Sequence, residues 1–350
     1  MSITTVAKRA GVSTSTVSRV INNHPRVAPE TERSVRKAMQ ELGYTPSERR
    51  PGPKSAGRLK TEKKKAAFLV LGASGQQATP AFADLLRGVS MGGADNAMDI
   101  AIHFVPNPND IATAILDQPI DGLLLHGARP NSEIESRLRK VPAVWLMGNR
   151  RRPDWGDQVM PDSYEIGHLA ADYLISRGHR QLAFLNLDAE FWPFRLYCQS
   201  FTAAATDRGM SVIAVEQTLE DHPPDYWHRH SPKVVTELVE RFLALSPRPT
   251  GIFVADDMQV AVIQPALQAH GVQLGPGQTE IISCNNEGAF RVGLSPQPAA
   301  IDIRVESIGR RGVEQLLWRL AHLNVPERLI CTIEPRVVDF EIPATSFAGQ

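Results

Sequence analysis

The chain has 350 residues, 42% of them hydrophobic, and its 38 Lys and Arg balance its 38 Asp and Glu. This length predicts about two to three domains with a sizeable core. The 3 cysteines are scattered and form no CxxC pair, which excludes a disulfide framework and favours a reducing cytoplasm. No apolar stretch approaches the length of a membrane span, and the charged amino terminus lacks the apolar core of an export signal.

The charges are unevenly distributed along the chain. Residues 1–65 contain 15 Lys and Arg against 5 Asp and Glu, whereas the remainder contains 23 basic and 33 acidic residues. A basic head with a formal charge of +10 therefore precedes an acidic body with a charge of −10. A basic segment that also has a folded apolar pattern suits the phosphate backbone of DNA and predicts salt-sensitive binding.

Residues 3–22 predict two short helices joined by a tight turn. Gly11 supplies the positive φ angle of the turn, and Ser13 is placed to cap the second helix. Apolar residues recur at helical spacing and predict a small shared core, made of Val6, Ala7, Ala10, Val12, Val17, Val20 and Ile21. The outward face of the second helix carries hydroxyls and Arg19, which alone there can grip a guanine edge in bidentate fashion. This pattern favours a DNA-reading helix-turn-helix, with a solvated helical hairpin as the alternative.

The motif Val-Ala-x-x-Ala-Gly-Val-Ser-x-x-Thr-Val-Ser-Arg-Val-x-Asn, which runs from Val6 to Asn22, resembles the opening of the LacI/GalR repressors. Residues 27–31 and the Leu-Gly-Tyr-x-Pro sequence at 42–46 are similar to the family's third helix and its ending. The resemblance implies that three side chains approach base edges in the major groove: Thr14, Ser15 and Arg19. It implies that five others mostly position the phosphates: Ser2, Thr16, Ser18, Asn22 and Tyr44.

Two departures from the family pattern affect the DNA-binding half. Members usually carry a serine cap where this chain has Ala28, so we expect the third helix to start less firmly, at a cost of about 1 kcal/mol. In the basic linker of residues 47–65 the family has a hinge helix that wedges a leucine into the minor groove, but Pro51 and Pro53 oppose a helix there. Three interpretations stay open: a displaced helix at about 54–60 with Leu59 as the wedge, an extended basic strand over 49–54, or a passive linker.

From residue 66 onward, short apolar runs alternate with amphipathic helical stretches. The predicted strands cover 67–71, 100–104, 122–125 and 143–147 in a first set, and 182–185, 212–215, 251–255 and 281–284 in a second. The predicted helices cover 82–97, 166–177, 201–209, 234–245, 260–271 and 308–323. This alternation predicts an α/β fold in which two doubly wound parallel sheets form two lobes. A ligand is expected in the crevice beyond the carboxyl ends of the strands.

The body resembles the family's effector domain, which is itself similar to periplasmic sugar-binding proteins. Segments such as Ile120-Asp121-Gly122, Arg177-Gly178-His179-Arg180 and Ala255-Asp256-Asp257 carry the resemblance. We therefore predict three parts: a helix-turn-helix domain over 1–46, a hinge or linker over 47–65, and an effector-binding and dimerisation domain over 66–343. Lobe one is expected at about 66–161 and 290–320, and lobe two at about 162–289 and 321–343.

Strand ends and family position together predict the residues that bind the effector: Ser74, Phe82, Asp162, Arg195, Tyr226, Trp227, Asp256 and Asn285. Carboxylates, amides and a guanidinium opposite aromatic rings suit a sugar-like polyol. A strand-end Asp or Asn also commonly caps the next helix, so each keeps that structural alternative. Tyr197 and Asn285 stand where the family usually has arginine and aspartate. With the aromatic loop at 190–194, these departures indicate a flatter or more apolar pocket than a hexose site.

The sequence contains no P-loop, no nucleophile elbow and no other catalytic constellation, which predicts a protein that is not an enzyme and has no cofactor. His222, His228 and His230 cluster in a proline-rich loop. They lack a cysteine partner or a helical i,i+4 pair, so we expect no metal site.

These predictions combine into a cytoplasmic, effector-controlled transcriptional repressor without a membrane partner. Two chains pair through their effector domains, forming a homodimer that sets two heads over the halves of a near-palindromic double-stranded DNA operator. A small-molecule effector, expected to be a carbohydrate or related metabolite, changes the angle between the lobes and thereby the DNA affinity. Two other classes stay open: a cytoplasmic sugar-binding or sugar-modifying protein with an incidental basic head, and an architectural DNA binder with a vestigial pocket.

Overall fold

The computed structural model describes residues 3–21, 27–44, 63–72, 79–111, 119–148, 155–217 and 230–339. The chain divides into two compact units between Glu62 and Lys63. The described residues of the smaller unit form three helices: α1 (Ile3–Ala10), α2 (Thr14–Ile21) and α3 (Pro29–Glu41). Leu59 and the hinge alternatives at 49–60 lie outside the described residues.

Four valines form the centre of the smaller unit. Val6 of α1, Val17 and Val20 of α2, and Val35 of α3 are each at most 1% exposed. Val17 and Val20 lie three residues apart, so both face the same side of α2. The small shared core predicted for the first two helices is confirmed, and the third helix completes it with Val35 and Ala38.

A glycine, Gly11, ends α1 and begins the turn to α2. Gly11 has a φ of 67°, and the N–H of Val12 donates to the carbonyl of Ala7 at 3.0 Å. This is the Schellman ending, in which a left-handed residue returns the chain onto the last turn. The predicted cap is also present, because Ser13 Oγ accepts from the N–H of Thr16 at 3.2 Å.

The larger unit contains two six-stranded sheets. The first has the order β11-β5-β4-β3-β1-β2 and the second β12-β10-β9-β8-β6-β7. All pairings are parallel except the antiparallel pairing of β10 with β12. The strands are β1 (Lys65–Leu71), β2 (Asp99–Val105), β3 (Gly122–Gly127), β4 (Ala143–Leu146), β5 (Asp157–Pro161), β6 (Gln181–Asn186), β7 (Ser211–Glu216), β8 (Gly251–Val254), β9 (Glu280–Cys284), β10 (Ala299–Asp302), β11 (Ile330–Ile333) and β12 (Arg336–Val338). We call the part built on the first sheet lobe one and the part built on the second sheet lobe two.

Helices lie between most of the successive strands, as in a doubly wound fold. They are α4 (Pro80–Asp95), α5 (Ser132–Leu138), α6 (Ser163–Ser176), α7 (Trp192–Asp207), α8 (Pro232–Leu243), α9 (Asp257–Ala269), α10 (Gly288–Arg291) and α11 (Val305–Ala321). The predicted α/β class and all eight predicted strands are confirmed. No helix within the described ranges is both long and apolar enough to cross a membrane.

The predicted lobe boundaries are wrong near the carboxyl terminus. Strand β10, predicted to belong to lobe one with residues 290–320, pairs with β9 of the second sheet. Strand β11, predicted to belong to lobe two with residues 321–343, pairs with β5 of the first sheet. Sequence periodicity identifies a strand but not its partner, which is decided by hydrogen bonds to residues far away in the chain.

Close packing of α4 against α11 fixes the position of α4 in lobe one. A Cβ atom on Gly309 would lie 2.5 Å from the carbonyl oxygen of Leu85, and one on Gly88 would meet the backbone of α11. Only glycine permits this approach of two helix backbones. The beginning of α4, which reaches the functional site described below, is therefore held on a rigid support.

Helix α3 begins without a side-chain cap. Ala28 occupies the N-cap position with φ −63° and ψ 140°, and its methyl group accepts no hydrogen bond. Pro29 follows at the first helical position, where its missing N–H costs nothing. Helix α3 therefore lacks the side-chain cap that a serine would provide, as the sequence predicts.

We predict that Ala28→Ser stabilises α3 by about 1 kcal/mol, because the new hydroxyl can accept from an N–H of the first turn. Hydrogen exchange of the backbone amides of α3, followed by mass spectrometry on the whole chain, should slow by about fivefold. Ala28→Val is the matched control, since its side chain has no acceptor. Equal exchange rates in Ala28→Ser and wild type would show that the first turn does not lack an acceptor.

Candidate functional site

The exposed face of α2 carries the side chains predicted to read DNA. The three residues expected at base edges are all exposed: Thr14, Ser15 and Arg19. Thr16 and Ser18, expected to position phosphates, are partly buried. The Oγ of Ser13 lies 2.7 Å from Ser15 Oγ and 2.9 Å from Thr16 Oγ1, so the hydroxyls form one chain at the start of the helix. Within the described part of the chain Arg19 has no hydrogen bond or ion pair.

Tyr44 follows the glycine that ends α3. Gly43 has a φ of 58°, and the N–H of Tyr44 donates to the carbonyl of Met39 at 2.9 Å. The Tyr44 ring is partly buried and packs against the valine core. Its position is thus set by the end of α3, and its predicted phosphate contact stays a prediction, while Ser2, Asn22 and Leu59 lie outside the described residues.

The larger unit contains a cleft between its two lobes, at the carboxyl ends of the strands. The cleft holds about 890 Å³ of space free of protein atoms. Its lining comes from residues at or just beyond strand ends: His126, Met147, Pro161, Asp188, Asp256, Asn285 and Ile303. The crevice is where the strand pattern predicts it, because parallel strands bring their carboxyl ends to one edge of each sheet.

Aromatic rings form much of the cleft wall. Phe82 comes from the first turn of α4, and the segment that opens α7 adds Phe191, Trp192, Phe194 and Tyr197. The rings of Phe191 and Phe194 lie 4.7 Å apart with an edge-to-face geometry. These walls offer flat apolar surface to a ring-shaped ligand, as the aromatic loop predicts.

Asp256 is a buried carboxyl in the cleft. It is 5% exposed and caps α9, with Oδ1 accepting from the N–H of Gln259 at 2.8 Å. Burial raises the pKa of Asp256 to about 8, and the nearby Glu287, Asp257 and Asp188 add to the rise. Its second oxygen accepts from no described residue, so Asp256 combines the predicted capping and cleft-lining roles.

Glu287 connects the two lobes across the cleft. Its Oε1 accepts from the N–H of Ala81, in the first turn of α4, at 2.9 Å. Its Oε2 accepts from Asn285 Nδ2 at 3.3 Å, and its own N–H donates to the carboxylate of Asp257. Burial raises the pKa of Glu287, partly offset by the Ala81 N–H.

His126 provides an acceptor on the lobe-one side of the cleft. Its Nδ1 lies 3.3 Å from the carbonyl oxygen of Leu146, which only accepts, so Nδ1 carries the proton and Nε2 is the acceptor. Burial lowers the pKa of His126 to about 4, so the ring is neutral at physiological pH. The ring also packs against Phe82, with centroids 5.6 Å apart.

The structure places some of the residues predicted to bind the effector in the cleft and others outside it. Phe82, Asp256 and Asn285 line the cleft. Asp162 lies outside the cleft lining, and Oδ1 of its carboxylate caps α6 by accepting from the N–H groups of Tyr164 and Glu165 at 3.1 Å. Its placement in the cleft is corrected to the capping alternative. Ser74, Tyr226 and Trp227 lie outside the described residues.

Arg195 is also misplaced by the prediction. It is exposed, lies outside the cleft lining, and stacks its guanidinium over the Trp192 ring at 6.0 Å. The helical repeat explains the error, since Phe194 and Tyr197 lie three residues apart and face the cleft, whereas Arg195 is rotated by about 100° from Phe194. Tyr197, noted in the sequence only as a departure from the family, lines the cleft together with Phe194 and Leu196.

Sequence reasoning missed several polar lining residues, among them His126, Asp188 and Glu287. The first two stand at or just after strands β3 and β6, so the strand-end rule could have found them. Glu287 gives no such signal, because its role depends on a contact with Ala81, which lies 206 residues away.

We predict that Asp256→Asn stabilises the protein most at high pH. The folded pKa of about 8 lies above the ordinary value of 3.8, so the folded wild type binds the extra proton and loses stability as pH rises between these values. Asparagine keeps the acceptor for Gln259 but cannot ionise. The melting temperature of Asp256→Asn should exceed that of wild type by more at about pH 9 than at about pH 6. Asp162→Asn, a change at a partly exposed cap, is the control, and a difference independent of pH would contradict the prediction.

Comparison with known families matches both units. Residues 2–47 match the bacterial regulatory proteins of the lacI family, and residues 171–339 match the periplasmic binding protein-like domain. The HTH-type transcriptional repressor PurR of Mannheimia succiniciproducens is 26% identical over 340 residues, covering 95% of this chain and 96% of that protein. PurR of Erwinia tasmaniensis is 28% identical over 323 residues, covering 90% of this chain and 89% of that protein.

Solved structures with the same fold span nearly the whole chain. A transcriptional regulator CelR–cellobiose complex has a TM-score of 0.62 at 21% identity, and the lac repressor dimer bound to operator and the anti-inducer ONPF has 0.63 at 19%. Each of the two matches covers 97% of this chain and 98% of the solved chain. These findings confirm the resemblance seen in the sequence: the chain combines a head of the lacI family of bacterial regulatory proteins with a periplasmic binding protein-like domain.

Proposed function

We propose that the chain is a sequence-specific DNA-binding transcriptional regulator, a repressor whose operator affinity is set by a small-molecule effector in the cleft. The observation that carries the proposal is the exposed face of Thr14, Ser15 and Arg19 on a head that matches the lacI family. The relatives described as repressors support the direction of control. We place the protein in the cytoplasm, and assign it no enzymatic activity.

The chemistry of α2 suits an operator. Short hydroxyl side chains let a helix lie close to the groove, and an arginine that has no partner among the described residues can donate two hydrogen bonds to the O6 and N7 of guanine. The +10 charge of residues 1–65 supplies the phosphate attraction. Base reading by Arg19 and phosphate positioning by the rest of the head therefore make separable contributions to operator binding.

The cleft suits control by an effector. It lies between two lobes that are joined by the hydrogen bond from Ala81 to Glu287. A ligand that binds more tightly when the lobes stand at one particular angle increases the fraction of molecules with that angle. The CelR structure contains cellobiose, which supports a sugar or related metabolite as the effector of this chain.

Exposed edge strands support a homodimer. Strand β2 ends the first sheet and β7 ends the second. Ile102 and Phe104 on β2 are 41% and 54% exposed, and Ile213 on β7 is 39% exposed. An exposed edge with large apolar side chains is a surface for pairing with another chain. A second copy that covers both edges would hold two heads over one operator.

We predict that Arg19→Ala weakens operator binding by about 1 to 3 kcal/mol and relaxes base preference at one position of each half-site. The measurement is fluorescence anisotropy at low ionic strength, with a duplex obtained by genomic selection against the wild-type chain. Arg36→Ala is the control, because it removes the same charge from α3, where Arg36 pairs with Glu32. Full affinity and unchanged preference in Arg19→Ala, or no duplex selected by wild type, would rule the regulator out.

We predict that Phe104→Asp converts the dimer to a monomer, because the carboxylate would be desolvated at the contact between two chains. Light scattering after size-exclusion chromatography measures the mass. Val292→Asp is the matched control: Val292 is 79% exposed but lies outside both edge strands, so this variant should remain dimeric. A dimer that persists in Phe104→Asp would remove β2 from the interface.

A further inference from the structure

In lobe one, a cluster of packed rings forms part of the cleft wall. Phe82, which is 6% exposed, packs against His126 with ring centroids 5.6 Å apart. It also packs against Phe104 of β2 at 6.0 Å with an edge-to-face geometry. Phe82 and His126 line the cleft, whereas Phe104 lies outside the lining. Because rings on neighbouring elements hold Phe82 in place, little order has to be gained when a ligand binds against it.

Two thioethers extend the wall of lobe one. Met147 follows β4 and Met160 lies on β5, and both residues line the cleft. A thioether is polarisable and makes favourable contacts with aromatic rings. Neither side chain can donate a hydrogen bond, so this part of the wall suits a ring better than it suits hydroxyl groups.

In lobe two, the segment that opens α7 forms a second aromatic wall. Phe194 packs against Phe191 with ring centroids 4.7 Å apart and against Tyr197 at 5.9 Å. Phe194 and Tyr197 are 7% and 3% exposed, so packing holds their rings. Trp192 lines the cleft together with these three residues. Both lobes therefore offer aromatic surface to the same space.

Several polar side chains of the lining already have partners within the chain. Thr79 Oγ1 accepts from the N–H of Phe82 at 3.3 Å. Glu287 accepts from the N–H of Ala81 at 2.9 Å and from Asn285 Nδ2 at 3.3 Å. A polyol, which must replace water around each of its hydroxyls, competes with these contacts for the same groups. An aromatic ring has few polar groups and leaves the contacts in place.

We infer that the effector carries a planar aromatic ring, which binds between Phe82 of lobe one and the rings at the start of α7 in lobe two. Closing the lobes on such a ring buries its faces against aromatic and thioether groups, and ring pairs of this kind are more favourable than burial of the same apolar area alone. The inference rests on the proposed function, because it narrows the effector from a sugar or related metabolite to a metabolite with an aromatic ring.

The test uses three two-ring probes that differ in planarity and in hydroxyl content: naphthol, its saturated counterpart decahydronaphthol, and cellobiose, the sugar in the CelR complex. Binding to the whole chain is measured by isothermal titration calorimetry and by saturation-transfer NMR. Decahydronaphthol is at least as apolar as naphthol but is not planar. We expect naphthol to bind about tenfold more tightly than decahydronaphthol, because only a planar ring makes ring–ring contacts with both walls, and cellobiose not to bind at the same concentration.

Phe191→Leu tests where the ring binds. The leucine stays apolar but removes one ring from the wall of lobe two, and the Phe191 side chain is partly exposed and makes no cap hydrogen bond, so the fold should be retained. The preference for naphthol over decahydronaphthol should fall to about threefold or less. Trp318→Leu is the matched control, since Trp318 stacks on His322 at 4.4 Å and lies outside the cleft lining. This variant should keep the wild-type preference.

Equal affinity of the wild type for naphthol and decahydronaphthol overturns the inference, as does the absence of any response to naphthol. Tighter binding of cellobiose also overturns it and indicates a polyol effector. Full preference for naphthol in Phe191→Leu means that the ring does not bind between these walls, which overturns the inference as well. Operator binding, measured on the same preparations, separates the outcomes: if it persists while the probes fail, only the ligand class is wrong.

Discussion

The hydrogen bond from Ala81 to Glu287 joins the two lobes across the cleft. Ala81 begins α4, which glycine contacts press against α11 in lobe one, and Glu287 follows β9 in lobe two. One buried carboxylate thus joins two bodies that are otherwise organised around separate sheets. A ligand that strengthens, replaces or breaks this contact would act directly on the angle between the lobes.

Buried carboxylates in lobe two divide into two kinds. Asp257 is compensated by Arg291 and accepts from the hydroxyl of Ser283, so it stabilises the fold around β9. Asp256 and Glu287 receive backbone N–H donors but no described cation, and their pKa values are raised mainly by burial. Burial of a carboxylate without a cation is unfavourable, and such groups are candidates for a functional role.

In the head, the local sequence signals for turns, caps and helices agree with one another. Its glycine turns, its serine cap and its helical apolar spacing all lie within about forty residues, and each is satisfied by near neighbours. The one local conflict, Ala28 at the start of α3, is softened by Pro29, whose fixed φ suits the first helical position. The fold of the head therefore depends on contacts among its own described residues.

By itself, the sequence determined the helix-turn-helix, the α/β class, the eight principal strands and the crevice at the strand ends, because these follow from local periodicity and a contiguous motif. It also anticipated Phe82, Asp256 and Asn285 in the cleft. Only the tertiary structure decided which sheet takes β10 and β11, and that Tyr197 rather than Arg195 faces the ligand space. Strand pairing, helix rotation and the Glu287 contact are set by packing between residues distant in the chain, which no local pattern encodes.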